Sequence, residues 1–355
     1  MANARTFRYT SCMTKIALFQ AEGWQAEYEK NALVSKGFAV DVITTPLDAA
    51  HLPVARDYDA VSMFVGSACT KDVIDAFPNL KVITTRSTGF DHIDCAYAKE
   101  KNIPVGYVPY YGENTVAEFA IGLMLTLSRK LYWSVDRIKR TDNFSFNGLE
   151  GFDIKGKTVG VIGTGHIGQH VIKMLKGFDA TVIAYDAYPN EKIAAELGFS
   201  YVLLDDLLGA SDIMTIHVPY LPSTHHLINK DNIGKIKKGS YLINTARGAI
   251  VETEALVLAL KKEILAGAAL DVLEEEGILK DEMGYWLKDK PGADYSNMET
   301  DLFNHILMDM PNVIVTPHNA FNSREANTRI LDTDVANVTT FFEKGSVVNA
   351  VPDVH

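Results

Sequence analysis

KTVGVIGTGHIG, residues 157–168, followed by TVIAYD at 181–186, is the stretch whose reading decides the fold. Thr158 to Ile162 is an apolar run of strand length, glycines stand at 163, 165 and 168, and a helical pattern follows to about Gly177. A second strand-like run, Thr181 to Tyr185, ends at Asp186, eighteen residues beyond Gly168. Strand, spaced glycines, helix, strand and terminal carboxylate in this order predict a dinucleotide site. Gly163 permits the tight turn, Gly165 lets a pyrophosphate approach the backbone, and Gly168 lets the helix pack close to the strand. N–H groups at the helix start then face the pyrophosphate. A carboxylate at Asp186 accepts from both hydroxyls of an adenosine ribose and repels a 2′-phosphate, so NAD is expected rather than NADP.

Outward from this stretch, strand and helix patterns alternate along the chain, which predicts an α/β protein with parallel sheets. Candidate strands before it lie at 15–19, 39–43, 60–65, 81–85 and 105–108, with helical patterns such as 25–36 and 71–77 between them. That half carries no glycine fingerprint and is the expected substrate domain. VPYYGEN, 108–114, reads as a connection. The helical pattern over 115–133 is apolar on more than one face and is expected to be buried between domains or subunits. The fingerprint domain continues through strands at 158–162, 181–185, 213–218, 241–245, 267–272 and 313–316. A last helical pattern, 323–344, is long enough to cross back onto the first domain. The expected architecture is two Rossmann-like or flavodoxin-like parallel-sheet domains with an interdomain cleft. Residues 1–111 and 321–355 form a discontinuous substrate domain, and 112–320 form the NAD-binding domain inserted in it. Residues 277–311, polar and rich in Asp, Lys and Met, break the rhythm and read as a surface elaboration.

A chain of 355 residues is too long for one ordinary core, in keeping with two domains. Its 47% hydrophobic and 22% charged residues are those of a soluble globular protein. The net charge of −11, with no dense Lys/Arg cluster, argues against nucleic acid or an anionic membrane as the main partner. The longest apolar stretches, such as 119–127, are too short to span a bilayer. Cys12, Cys69 and Cys95 have neither metal-ligand spacing nor a disulfide pattern, so no metal site and a cytoplasmic location are expected. The first dozen residues, with Arg5, Arg8 and no acid, read as an extension ahead of TKIALF at 14–19, and Met13 is an alternative start.

In open α/β sheets, ligands bind beyond the carboxyl ends of the strands. Strand 241–245 delivers Ala246, Arg247 and Gly248. Strand segment 268–270 delivers Asp271, with Glu274, Glu275 and Glu276 just beyond, and strand 313–316 delivers Pro317 and His318. An Arg, an acidic cluster and a His at three strand ends suit the reduction of a 2-keto acid. The substrate carboxylate and carbonyl need a bidentate cation. The alkoxide formed by hydride arrival needs a proton, for which His is suited near neutrality, and a neighbouring carboxylate keeps an imidazole loaded. Blander readings stand beside these. Arg247 could be a surface residue at a helix start, although a cation there opposes the helix dipole. Any of the three glutamates could be a solvated loop charge. His51, His92, His225, His226 and His305 read as structural or surface groups. The residues alone do not say which glutamate pairs with His318.

The chain resembles the NAD-dependent D-2-hydroxyacid dehydrogenases, most closely the fermentative D-lactate dehydrogenases, from about Lys15 to Asn349. The resemblance is carried by STGFDHID at 87–94, VPYYGENTVAE at 108–118, VGVIGTGHIGQ at 159–169, LINTARG at 242–248, ALDVLEEE at 269–276 and VIVTPHNAF at 313–321. It implies that Arg247 binds substrate, that His318 is the acid/base and that Glu276 is its partner. It further implies a substrate-carboxylate cradle from the N–H groups of Thr88 and Gly89, with Tyr111 touching the substrate and Phe321 helping to size the pocket. For NAD, the matching positions are His166 and Ile167 on the glycine loop and Asp186 on the ribose. Val218, Pro219 and Thr224 match beside the adenosine, and Thr245, Ala246 and Asp271 nearer the nicotinamide. Arg247 lies between substrate and cofactor. A homodimer with the helix near 115–133 at its interface is also implied. Gly112-Glu113 departs from the usual strap between domains, and the excursion over 277–300 exceeds that of the shortest relatives. The implied activity is reversible NADH-dependent reduction of pyruvate to D-lactate. The alternatives are another 2-keto acid, such as hydroxypyruvate, glyoxylate or a bulkier one, and an NAD-sensing, corepressor-like interaction protein.

Overall fold

The computed structural model describes residues 13–276 and 298–352. The expected N-terminal extension with Cys12, and residues 277–297 of the expected excursion, lie outside the described residues. The chain divides into two compact units: Met1–Tyr111 with Ser323–His355, and Gly112–Asn322. Phe321, expected at the start of the returning segment, falls in the second unit. The return begins at Ser323, whose hydroxyl caps the last helix by accepting from the Ala326 N–H at 3.1 Å.

In the first unit, five parallel strands are β1 (Lys15–Phe19), β2 (Ala39–Ile43), β3 (Ala60–Met63), β4 (Val82–Thr85) and β5 (Val105–Gly106). Their order is β2-β1-β3-β4-β5, the flavodoxin-like arrangement. Helices α1 (Gly23–Ser35), α2 (Lys71–Asp75) and α3 (Cys95–Glu100) connect them, and the returning α11 (Arg324–Lys344) completes the unit. Successive side chains of a strand face opposite ways, so a sheet covered on both sides needs continuous apolar runs. Thus Ile16 and Leu18 pack with Leu33 of α1 and Val338 of α11. Ala17 and Phe19 pack with Val73 and Ile74 of α2. β3 and β5 end two residues earlier than the apolar runs suggested. Ser67 N–H turns back onto the Phe64 carbonyl, and Val108 N–H crosses to the Ser87 carbonyl, each at 3.0 Å.

The second unit begins with α4 (Glu113–Ser128) and α5 (Leu131–Thr141). The fingerprint itself forms β6 (Thr158–Ile162), α6 (His166–Lys176) and β7 (Thr181–Tyr185). There follow α7 (Glu191–Leu197), β8 (Ser200–Tyr201), α8 (Leu204–Ala210), β9 (Ile213–Ile216), β10 (Ser240–Asn244), α9 (Thr253–Lys261), β11 (Leu265–Leu270), α10 (Met298–Asp309) and β12 (Val313–Val315). The parallel sheet runs β12-β11-β10-β9-β6-β7-β8, the doubly wound dinucleotide-binding order. The strand order reverses between β6 and β9, and the glycine loop sits at that switch point. Val159 and Val161 of β6 pack with Leu127 of α4 and Leu175 of α6, while Ile162 faces Leu207 of α8 and Leu256 of α9. Gly163 has φ 96°, and a Cβ on Gly168 would lie 2.0 Å from the Gly163 carbonyl oxygen. No side chain fits between this strand end and its helix.

One expectation is corrected here. The helical pattern over 115–133 is not one helix. α4 stops at Ser128, whose carbonyl accepts from the Phe152 N–H at 2.8 Å, and Lys130 takes a left-handed conformation with φ 54°. α5 then starts afresh and buries none of its residues. Among the described residues, no helix is long and apolar enough to cross a membrane.

Candidate active site

The cofactor positions lie along the carboxyl edge of the second sheet. α6 starts at His166, and its N-cap is Gly165 with no side-chain capping bond. The first N–H groups of a helix lack intrahelical acceptors, and they suit an anion. A Cβ on Gly165 would meet nothing within 4 Å, so the space beside the helix start is open. Ile167 packs against the core beneath it. Asp186 follows β7 directly. Its Oδ2 accepts from the Thr164 N–H at 2.7 Å and hydroxyl at 2.9 Å, and its Oδ1 from the Tyr188 N–H at 2.9 Å. These bonds hold the carboxylate beside the glycine loop. The Thr224 hydroxyl donates to the Pro219 carbonyl at 2.7 Å and accepts from the Leu221 N–H at 2.8 Å, fixing the turn that carries Val218 and Pro219. Ala246 N–H donates to Asn244 Oδ1 at 3.0 Å. Among the described residues, the buried Thr245 hydroxyl finds no partner. An open glycine, a positioned ribose-side carboxylate and an orphaned buried hydroxyl fit a bound dinucleotide.

The reactive candidates stand at three neighbouring strand ends of the same unit. Arg247, past β10, is exposed and donates from Nη1 to the Ala246 carbonyl at 2.8 Å. Among the described residues it meets no carboxylate. His318, past β12, donates from Nδ1 to Glu276 Oε1 at 2.6 Å. Both side chains are about one-third exposed, at 33% and 30%. This pairing leaves Nε2 as the ring nitrogen turned away from the carboxylate. His318 has φ 51°, and what holds it there is Asp271. The Asp271 carbonyl accepts from the His318 N–H at 2.8 Å. Its carboxylate accepts from the Thr316 hydroxyl (2.5 Å) and the Asn319 and Ala320 N–H groups (both 2.8 Å). Burial pushes the Asp271 carboxyl up, against the pull of those three donors.

Glu274 is engaged elsewhere. Its Oε1 pairs with His226 Nε2 at 2.8 Å, its Oε2 accepts from the Thr253 hydroxyl at 2.7 Å, and its carbonyl accepts from Asn304 Nδ2 at 2.7 Å. Four segments thereby meet at one residue just before Glu276. His225 stacks on His226 with ring centroids 3.9 Å apart. Read as isolated groups, neither histidine gave any sign of this. A pocket lined by Tyr220, Arg247 and Glu274 to Glu276 opens beside the cluster. Among the described residues, no group of three or more His, Cys, Asp or Glu is placed to hold a metal ion.

In the first unit, Thr88 and Gly89 form a loop just past β4. The Thr88 hydroxyl donates to the Val108 carbonyl at 2.8 Å, and the Ser87 hydroxyl to the Gly89 carbonyl at 2.6 Å. Among the described residues, the N–H groups of Thr88 and Gly89 have no acceptor. His92 supports the loop from below through the Thr85 hydroxyl at 3.0 Å, and its burial pulls the imidazole below the usual range. The Tyr111 carbonyl accepts from Arg329 Nε of α11 at 2.5 Å. Phe321 is half-buried in the second unit, so Thr88, Gly89 and Tyr111 are on one unit and Phe321, Arg247, Glu276 and His318 on the other.

Residues 121–320 match the family model described as D-isomer specific 2-hydroxyacid dehydrogenase, NAD binding domain. A "2-hydroxyacid dehydrogenase homolog" of Zymomonas mobilis is 39% identical over 89% of this chain and 93% of its own. An aromatic 2-oxoacid reductase of Clostridium sporogenes is 35% identical over 90% and 94%. Among solved structures, D-lactate dehydrogenase from Aquifex aeolicus, complexed with NAD and lactic acid, superposes with a TM-score of 0.78. It is 34% identical, over 95% of this chain and 100% of that one.

Proposed function

The chain belongs to the NAD-dependent D-isomer-specific 2-hydroxyacid dehydrogenases, and from that premise we propose that it reduces pyruvate to D-lactate, reversibly. The observation that carries this reading is the His318–Glu276 pair, 2.6 Å apart, one strand end from an exposed Arg247 that meets no carboxylate among the described residues. NADH, when bound, supplies the hydride. The protein's own groups do the rest. Arg247 takes the substrate carboxylate with its planar fork and polarises the adjoining carbonyl. Glu276 holds Nδ1 of His318, so that Nε2 gives its proton to the carbonyl oxygen as it becomes an alkoxide. The N–H groups of Thr88 and Gly89, with no acceptor among the described residues, are proposed to bind a substrate carboxylate. In the reverse direction, Nε2 takes the proton back. The aromatic 2-oxoacid reductase among the relatives favours a second reading, in which the substrate carries a larger side chain. A panel of 2-keto acids with NADH, with chiral analysis of the product, tests both. Fastest turnover of pyruvate to D-lactate is the expected result, and no turnover of any 2-keto acid would sink the enzyme reading.

Asp186 is proposed to read the ribose. Asp186→Ala should narrow the preference for NADH over NADPH by about 10–100-fold in kcat/KM, the scale of about 1.5–3 kcal/mol for a hydrogen bond to a charged group. An unchanged ratio would remove Asp186 from that role.

We also propose that two copies of the chain associate through α5. Leu131, Val135 and Ile138 form an i, i+4, i+7 stripe at 49%, 53% and 44% exposure, and Phe144 and Phe146 beyond them are bare at 92% and 85%. Apolar groups gathered this way on one surface usually meet a partner. By light scattering, the wild type should be a dimer and Val135→Asp/Ile138→Asp a monomer. A monomeric wild type would overturn the assignment.

A further inference from the structure

A charged cluster is sealed inside the first unit, directly beneath the loop of Thr88 and Gly89. Arg86, the residue between β4 and that loop, is buried with its side chain only 6% exposed. Its Nη1 donates to Glu29 Oε2 of α1 and to the Ser62 hydroxyl of β3, both at 3.2 Å. Its Nη2 donates to the Phe19 carbonyl at the end of β1 and, at 3.3 Å, to the Gln20 carbonyl. The Ser62 hydroxyl passes the chain on to Asp334 Oδ2 of α11 at 2.7 Å. Glu29 and Asp334 are both fully buried. Among the described residues, Glu29 Oε1 and Asp334 Oδ1 find no hydrogen-bond partner. Two carboxylates and one guanidinium would leave an unbalanced negative charge in the core, and burial in such a site favours the neutral acid. Burial, and then the Asp334 carboxylate, push the Glu29 carboxyl well up against the pull of Arg86. One proton on Glu29 brings the net charge of the cluster to zero.

A buried ion pair is weak support for stability, since well-packed apolar side chains often do as well. What this one supplies is register. It ties the carboxyl ends of β1, β3 and β4 to two helices through one planar cation, and the backbone leaving that cation is Ser87-Thr88-Gly89. We propose that Arg86, seated on the Glu29–Asp334 acid pair, is the positioning residue that aims the Thr88 and Gly89 N–H groups at a substrate carboxylate. The inference rests on the reading of that loop under the proposed function. Arg86 touches no substrate; it acts through the backbone that follows it.

Glu29→Leu removes the carboxylate that accepts from Nη1. Glu29→Gln keeps an acceptor for Arg86 at the same size. Ser62→Ala removes only the hydroxyl between Arg86 and Asp334 and keeps the ion pair, so it serves if Glu29→Leu does not fold. The expected result for Glu29→Leu is a 2-keto acid KM raised by about tenfold with kcat within about threefold, the pattern of lost binding shared by ground and transition states. Affinity for NADH should be unchanged, amide hydrogen exchange should quicken at 86–89, and Glu29→Gln should restore both exchange and KM. Exchange at 86–89 that is unchanged in Glu29→Leu and Ser62→Ala, or raised equally across the whole unit, overturns the positioning role. Quickened exchange at 86–89 with KM unmoved overturns the aiming of those N–H groups at substrate, and the loop's reading with it. If the wild type turns over no 2-keto acid, the proposed function falls, and local exchange still decides whether the cluster holds the loop.

Discussion

Replacing His318 should lower kcat for 2-keto acid reduction by ~10²–10⁴-fold, the range for loss of a positioned general acid, while NADH still binds. The size follows from the geometry. Glu276 holds Nδ1 at 2.6 Å, which leaves Nε2 as the donor atom, and no other imidazole among the described residues is paired with Glu276. His226, the other histidine held by a glutamate, is bound through Nε2 to Glu274 and belongs to a different set of contacts. Asparagine is the better test residue. His318 sits at φ 51°, where Asn is tolerated and Ala is strained by about 1–2 kcal/mol. His318→Asn should therefore lose activity as His318→Ala does while keeping more of its stability. Steady-state rates with pyruvate, beside an NADH fluorescence titration, check this. Turnover within about threefold of wild type in the Asn variant would take His318 out of the proton transfer.

Much of the fold was legible because parallel sheets covered on both faces leave continuous apolar runs, and 157–186 adds Gly163 and Gly168, where no side chain fits. The β6–α6–β7 unit follows that reading residue for residue. What was not legible is where an apolar pattern stops being a helix. Residues 115–133 stay apolar through Ser128, and the break there depends on Phe152, whose N–H takes the Ser128 carbonyl from across the chain. β8, two residues long and at the sheet edge, carries no periodicity of its own.

The candidate site divides in the same way. Strand ends point to Arg247, His318 and an acidic cluster because the sheet rule is local. Which glutamate serves His318 depends on a competition that sequence spacing does not record: His226 and Thr253 hold Glu274, and Glu276 remains for His318. Asp271 shows the opposite case. Its position at a strand end points to a ligand, yet both carboxylate oxygens hold the turn that sets the backbone of His318. Arg86 and Glu29 gave no signal, because a charged residue reads as exposed until folding brings α1, β3, β4 and α11 to one point.

Arg247→Gln should lower kcat/KM for the 2-keto acid by about 10²–10³-fold, through both a higher KM and a lower kcat. Removing one partner of a hydrogen-bonded charge pair costs about 3–4 kcal/mol, and each 1.36 kcal/mol is a factor of ten in rate. In the proposed role the loss falls on both constants, because the fork would hold the carboxylate before reaction and polarise the carbonyl during it. Glutamine retains polarity but neither charge nor the second parallel donor. Arg247→Lys, with the charge but no planar fork, should recover only part of the loss. The fold should not suffer. The guanidinium makes one hydrogen bond, to the adjacent Ala246 carbonyl, and the loop is held instead by Asn244 Nδ2 on the Arg247 carbonyl at 3.0 Å. An unchanged unfolding midpoint with a large kinetic loss therefore marks direct contact with substrate. A variant with unaltered KM and kcat would make Arg247 the exposed surface residue of the blander reading, and the carboxylate would then have to be held from Thr88 and Gly89 alone.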